Sequence, residues 1–200
     1  MKPEICKQCP AYNEPGPVWA EANGTELAIF GEAPGNDEVS IGSPFRGAAG
    51  GLLWAMARRV GLNRNQCFVS NVAKCITKDD AAFAYCWKHF GSKEVESLPL
   101  GTPILALGNP AKHALLPVLD GWGITVCRGT KIGNVTVALH PSFIRRTAQA
   151  ENENTSSEEK QDLTPTLVYD IETALHHQAP SQVKIVEVVS ARRVLTDDMQ

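Results

Sequence analysis

Four short apolar runs punctuate the first 150 residues: Leu27-Ala28-Ile29-Phe30, Cys67-Phe68-Val69-Ser70, Ile104-Leu105-Ala106-Leu107 and Val135-Thr136-Val137-Ala138-Leu139. Each ends at Gly, Asn or His, where a chain leaves a sheet. Near-continuous apolar strands are what a parallel sheet covered on both faces requires. Between them the period lengthens. Gly50 to Val60 puts Leu53, Met56, Ala57 and Val60 on one helical face, and Ala81 to Phe90 and Pro110 to Leu119 read as further helices. Strands alternating with helices predict an α/β domain, a three-layer α/β/α sandwich around a four-stranded parallel sheet. Gly129 to Gly133 reads as the turn that feeds the last strand.

The pattern changes near residue 150. Glu151 to Lys160 (ENENTSSEEK) is polar and acidic with no apolar face, which predicts a linker over 151–164. Residues 165–200 then form an acidic tail. Charge divides at the same place: residues 1–150 carry 15 Lys and Arg against 12 Asp and Glu, the remainder 4 against 10. A net charge of −3 for the whole chain therefore conceals a mildly basic front domain, suited to a polyanionic partner. In the tail, Thr166-Leu167-Val168-Tyr169-Asp170-Ile171-Glu172-Thr173 reads as a short strand ending in Asp-x-Glu, similar to the first motif of proofreading exonucleases. Too few residues follow Glu172 for a nuclease fold, so the segment is read as a chance match or a remnant. Val183 to Val189 reads as one more strand.

No apolar run of membrane-spanning length and no signal-peptide core is present, so a cytoplasmic protein without membrane attachment is expected. In that reducing compartment clustered cysteines point to metal or catalysis rather than disulfides. Six cysteines occur, with Cys6 and Cys9 as an N-terminal CxxC and Cys75 and Cys86 further on. Cys67 and Cys127 sit in apolar stretches and read as small core residues. Ligands of open α/β sheets bind at the carboxyl ends of the strands. Gly31-Glu32-Ala33-Pro34-Gly35, Asn71 and His140 all follow strands and so should converge on one rim.

These motifs carry a family resemblance. Cys6-x-x-Cys9, Gly31 to Glu38 (GEAPGNDE), Gly42 to Leu53 (GSPFRGAAGGLL), Ser70 to Cys75 (SNVAKC) and His140-Pro141-Ser142-Phe143, in this order over residues 3–146, resemble the uracil-DNA glycosylase superfamily and its iron–sulfur family 4. The resemblance implies a DNA glycosylase that flips uracil out of DNA and hydrolyses its N-glycosidic bond. It implies a [4Fe–4S] cluster on Cys6, Cys9, Cys75 and Cys86. The same four thiolates also suit a tetrahedral zinc ion. It assigns Glu32 to orienting water or stabilising the cationic sugar, and His140 to donating a hydrogen bond to the departing uracil. Asn71 would pair with the uracil edge and Phe45 would stack on the base, unless Phe45 is an ordinary core phenylalanine. Gly31, Ala33, Pro34 and Gly35 would let backbone approach the nucleotide, and Ser142 would contact a phosphate. Phe143, Ile144, Arg145 and Arg146 would form a wedge and clamp, with Arg46 and Lys74 extending the phosphate-binding surface.

Two departures stand out. Only ten residues separate Cys75 from Cys86, and Ile76-Thr77-Lys78 replaces the Arg-Pro-Pro usual after Lys-Cys. The expected partner is uracil-containing DNA, the expected state a monomer, and the tail is a candidate contact for a replication protein. The rival reading is a catalytically weak glycosylase-like module that binds DNA or assists replication. A glycosylase for another deaminated base is a second rival.

Overall fold

A computed structural model describes residues 1–117, 128–154 and 163–176. The four apolar runs form strands β2 (Leu27–Gly31), β3 (Cys67–Asn71), β4 (Ile104–Leu107) and β6 (Val135–Ala138). They are mutually parallel, and in β2 and β3 Leu27 pairs with Cys67 and Gly31 with Asn71. Among the described residues the sheet is nevertheless mixed and six-stranded, in the order β1-β3-β2-β4-β6-β5, which corrects the four-stranded expectation. The extra members, β1 (Glu21–Ala22) and β5 (Lys131–Ile132), are antiparallel edge strands. Two residues are too few to leave a periodic signal in sequence.

Alternate strand residues feed two cores. Leu27, Ile29, Val69, Leu105 and Leu107 pack on one side with Leu53, Met56 and Ala57 of helix α2 (Ala48–Arg59). Ala28, Phe30, Phe68 and Ala106 pack on the other, against α3 (Asp80–Cys86) and α5 (Asn109–Leu115). A π turn over Trp87–Gly91 joins α3 to α4 (Ser92–Glu96). At Gly91 any Cβ would sit 2.3 Å from the Trp87 ring, so only glycine fits that turn. Helix α1 (Asn36–Ile41) follows β2 and α6 (Pro141–Asn154) follows β6.

The segment expected as a strand with an exonuclease-like carboxylate pair is helix α7 (Thr164–Leu175). Leu167, Ile171 and Ala174 recur at helical spacing, are fully buried, and pack with α2 and the sheet. Residues two apart on a helix do not share a face, so Asp170 points inward while Glu172 is exposed. The two carboxylates cannot hold a metal pair together. Lys131 of β5 fixes the end of α7 by donating to the carbonyls of Thr173, Ala174 and His176. Of the expected linker, residues 151–154 continue α6. The rest of it up to Asp162, the strand expected over Val183 to Val189, and Cys127 lie outside the described residues.

Candidate active site

The parallel strands diverge in connection between β2 and β4: β2 leads outward to β3, whereas β4 leads to β6 on the other side. That is where an open α/β sheet forms its crevice. Here a cleft of about 520 Å³ opens beyond the strand ends, lined by the loop after β2, Phe45, Asn71, His140, Ser142, Arg145 and Arg146. Glu32, Ala33, Pro34 and Gly35 all border it. Gly31 lies beneath, and a Cβ there would come within 2.5 Å of both Asn71 Oδ1 and Phe45 Cζ. The three motifs far apart in sequence thus share one cavity.

Asn71, the last residue of β3, is 3% exposed. Its carbonyl accepts from Lys74 Nζ at 2.6 Å. His140 stands between β6 and α6 with its ring tilted toward that of Phe45, centroids 6.1 Å apart. The Ser142 backbone N–H donates to His140 Nδ1 at 3.2 Å, which assigns the ring proton to Nε2. Burial pushes the His140 pKa down to about 4; the Glu32 carboxylate opposes this, and Lys78 and Arg146 reinforce it. The imidazole is a neutral hydrogen-bond donor at neutral pH.

The residues expected to form a wedge and clamp are helical. Phe143 to Arg146 lie in the first turns of α6. Phe143 is 46% exposed, whereas Ile144 is 3% exposed and belongs to the core, so Ile144 is removed from the wedge. Lys74 is a second correction. Its side chain is buried and donates to Ser70 Oγ, Asn71 O and Glu94 Oε2, so it cannot reach a phosphate. An ammonium in the interior is tolerable only when paired and fully hydrogen-bonded, and here all three donors are used. Arg46 is turned toward Ser43 and Glu21 at the surface.

Two further residues, Glu38 and Lys78, line the cleft. Glu38 accepts from the Gly35 and Gly47 amides, each at 2.9 Å, and so ties together two neighbouring loops that border the cleft. The Gly35-x-x-Glu38 spacing is that of a capping box and was its available signal. Lys78 donates to Glu32 Oε1 at 2.5 Å from the loop that departs from the family pattern. Nothing in the sequence pointed to that pairing.

Away from the cleft, Cys6, Cys9, Cys75 and Cys86 line a single small apolar pocket with Tyr12, Trp19, Tyr85 and Phe90. The Lys74 backbone N–H donates to Cys86 Sγ at 3.3 Å, and the Tyr85 hydroxyl donates to the Ile5 carbonyl, joining α3 to the N-terminal turn. Burial pushes the Cys86 thiol up to about 11, and raises Cys6 and Cys75, each of which also feels the neighbouring cysteines. Four thiols around one small pocket match by chemistry the donor set an iron–sulfur cluster takes. Among the described residues no three His, Cys, Asp or Glu side chains are grouped closely enough to hold a single metal ion. Cys67 stands apart in the core, its thiol pushed up to about 12 by burial. Among the described residues no helix is long and apolar enough to cross a membrane.

Comparison with known proteins identifies a family. The family model described as the uracil DNA glycosylase superfamily matches residues 19–164. A type-4 uracil-DNA glycosylase of Thermotoga maritima is 33% identical over 160 residues, spanning 73% of this chain and 81% of the relative. Enzymes of the same description from Sulfurisphaera tokodaii (42% over 83 residues, 38% of this chain and 36% of the relative) and Archaeoglobus fulgidus (50% over 50 residues, 25% of each) match shorter stretches. The chain belongs to the uracil DNA glycosylase superfamily.

Proposed function

We propose that this protein is a uracil-DNA glycosylase that hydrolyses the N-glycosidic bond of a flipped deoxyuridine and leaves an abasic site. The observation that carries the reading is one cleft lined by a carboxylate, an amide, a neutral imidazole and an aromatic ring. Breaking the bond develops positive charge on the sugar and negative charge on the leaving base. Glu32 meets the first, either directly or by orienting the attacking water. His140 meets the second, its Nε2–H donating to the uracil O2 as charge accumulates there. Asn71 offers a donor and an acceptor to the base edge, and Phe45 offers a stacking face. Ser142 and Arg145 at the start of α6 suit the flanking phosphates, and exposed Phe143 suits the gap left in the stack.

Cys6, Cys9, Cys75 and Cys86 would hold a [4Fe–4S] cluster that cross-links the N-terminal segment to the β3 loop and α3, a structural rather than a chemical contribution. Purified protein is then brown, with iron and acid-labile sulfide that fall in Cys86→Ser but not in Cys67→Ser. Zinc in a colourless anaerobic preparation would contradict it. For the activity, a uracil-containing oligonucleotide is incubated with protein, treated with alkali and run on a denaturing gel. Cleavage at the uracil supports excision, while binding without cleavage would favour the accessory-module reading. Competition with hypoxanthine- and xanthine-containing DNA defines the base range.

A further inference from the structure

Phe45 is the one non-glycine residue with positive φ among the described residues, at 52°. A bulky side chain in the left-handed region is strained and persists only where its surroundings over-determine it. Those surroundings are explicit. The Phe45 carbonyl accepts from Trp54 Nε1 at 3.1 Å and from Arg64 Nη1 at 3.5 Å. Arg64 Nη2 donates to the Pro44 carbonyl at 2.6 Å and to Ser43 Oγ at 3.1 Å. Its guanidinium lies over the Trp54 ring, 5.0 Å from the centroid. Glu21 holds it from behind, accepting from Nε at 2.9 Å and Nη2 at 2.7 Å. On the far side Gly50 makes room, since a Cβ there would meet the Phe45 carbonyl oxygen at 2.0 Å. None of Glu21, Trp54, Arg64 and Gly50 lines the cleft. What they hold is the backbone that aims the Phe45 ring at Gly31 and His140.

We infer that Arg64, anchored by Glu21, is a positioning residue for base stacking: its planar fork grips the Ser43-Pro44-Phe45 turn and keeps the Phe45 ring in the cleft. The inference rests on the uracil-excision reading of the same site. A lysine brings one point charge in place of the fork and cannot reach both carbonyls and Glu21 together. Without the grip Phe45 relaxes to an ordinary backbone region and its ring leaves the base.

The test is a double-mutant cycle on single-turnover excision of uracil from an oligonucleotide, using wild type, Arg64→Lys, Phe45→Ala and the double variant. Arg64→Lys should lose about 5- to 140-fold in kcat/KM, the fold-change equivalent of one base stacked on an aromatic. The double variant should be no slower than Phe45→Ala alone, because the arginine acts through the ring. Independent losses that multiply would overturn the inference, since general support of the fold does not depend on what stands at position 45. Should Arg64→Lys fail to fold, Glu21→Gln takes its place in the cycle with the same two criteria. A wild type that does not excise uracil would overturn the reading of the site itself, whereas an active wild type with multiplying losses overturns only the role of Arg64.

Discussion

If His140 works as a neutral donor, its contribution to excision should be insensitive to pH where an ordinary histidine titrates. The structure gives two reasons. The Ser142 amide occupies Nδ1, so the proton sits on Nε2, and burial lowers the pKa to about 4. At pH 7 the imidazolium is then on the order of one part in a thousand. Truncation in His140→Ala removes one donor aimed at developing charge, which costs on the order of 10²–10³ in rate, ~2.7–4 kcal/mol. The assay is single-turnover excision by wild type and His140→Ala from pH 8.5 down to pH 5. The ratio of the two rates cancels every other titrating group. It should stay level through the unperturbed value of 6.5 and shift only as the pH approaches 4. The stability sign agrees with that window: the unfolded chain takes up the proton first, so the folded state loses stability as pH falls from 6.5 toward 4, and nothing is lost above. A ratio that follows a titration centred near 6.5 would refute the argument, because the working species would then be the imidazolium.

Other perturbations have equally definite outcomes. Asp170 is fully buried, neither carboxylate oxygen is hydrogen-bonded among the described residues, and burial raises its pKa to about 6 despite Arg128 nearby. Its folded pKa exceeds the unfolded value of 3.8, so the penalty is present at neutral pH and is relieved as pH falls from 6 to 3.8. Asp170→Asn should therefore stabilise at pH 7.5 by up to about 3 kcal/mol in urea denaturation, with the gain gone by about pH 4. Gly31→Ala drives a methyl into Asn71 and Phe45 and should lower kcat/KM by about 10²-fold, with about 1–3 kcal/mol of stability lost to overpacking; unchanged kinetics would remove those two side chains from the site. Lys74→Met should cost about 3–5 kcal/mol in the same denaturation assay, because Glu94 and the Asn71 carbonyl lose their buried partner. A loss under about 1 kcal/mol would mean the network contributes little.

Much of the site was legible because it obeys a local rule. Apolar runs end where strands end, and a parallel sheet gathers those ends on one edge, so Glu32, Asn71 and His140 could be placed together without coordinates. The tail shows how a motif can mislead. Leu167, Ile171 and Ala174 carry helical spacing and Pro165 stands in the first turn, whereas the Asp-x-Glu match alone suggests a strand. Lys74 shows a harder limit. A lysine near a DNA-facing loop reads as a phosphate contact, and its inward turn depends on Glu94, twenty residues away on a helix whose orientation the local pattern does not encode. Arg64 and Glu21, 43 residues apart, belong to the same class. Residues that line the cleft cluster at strand ends and can be found by topology; residues that hold them in place pair across the sheet edge and through loop carbonyls. Their chemistry appears only once a strained φ at Phe45, or a buried ammonium at Lys74, demands an explanation.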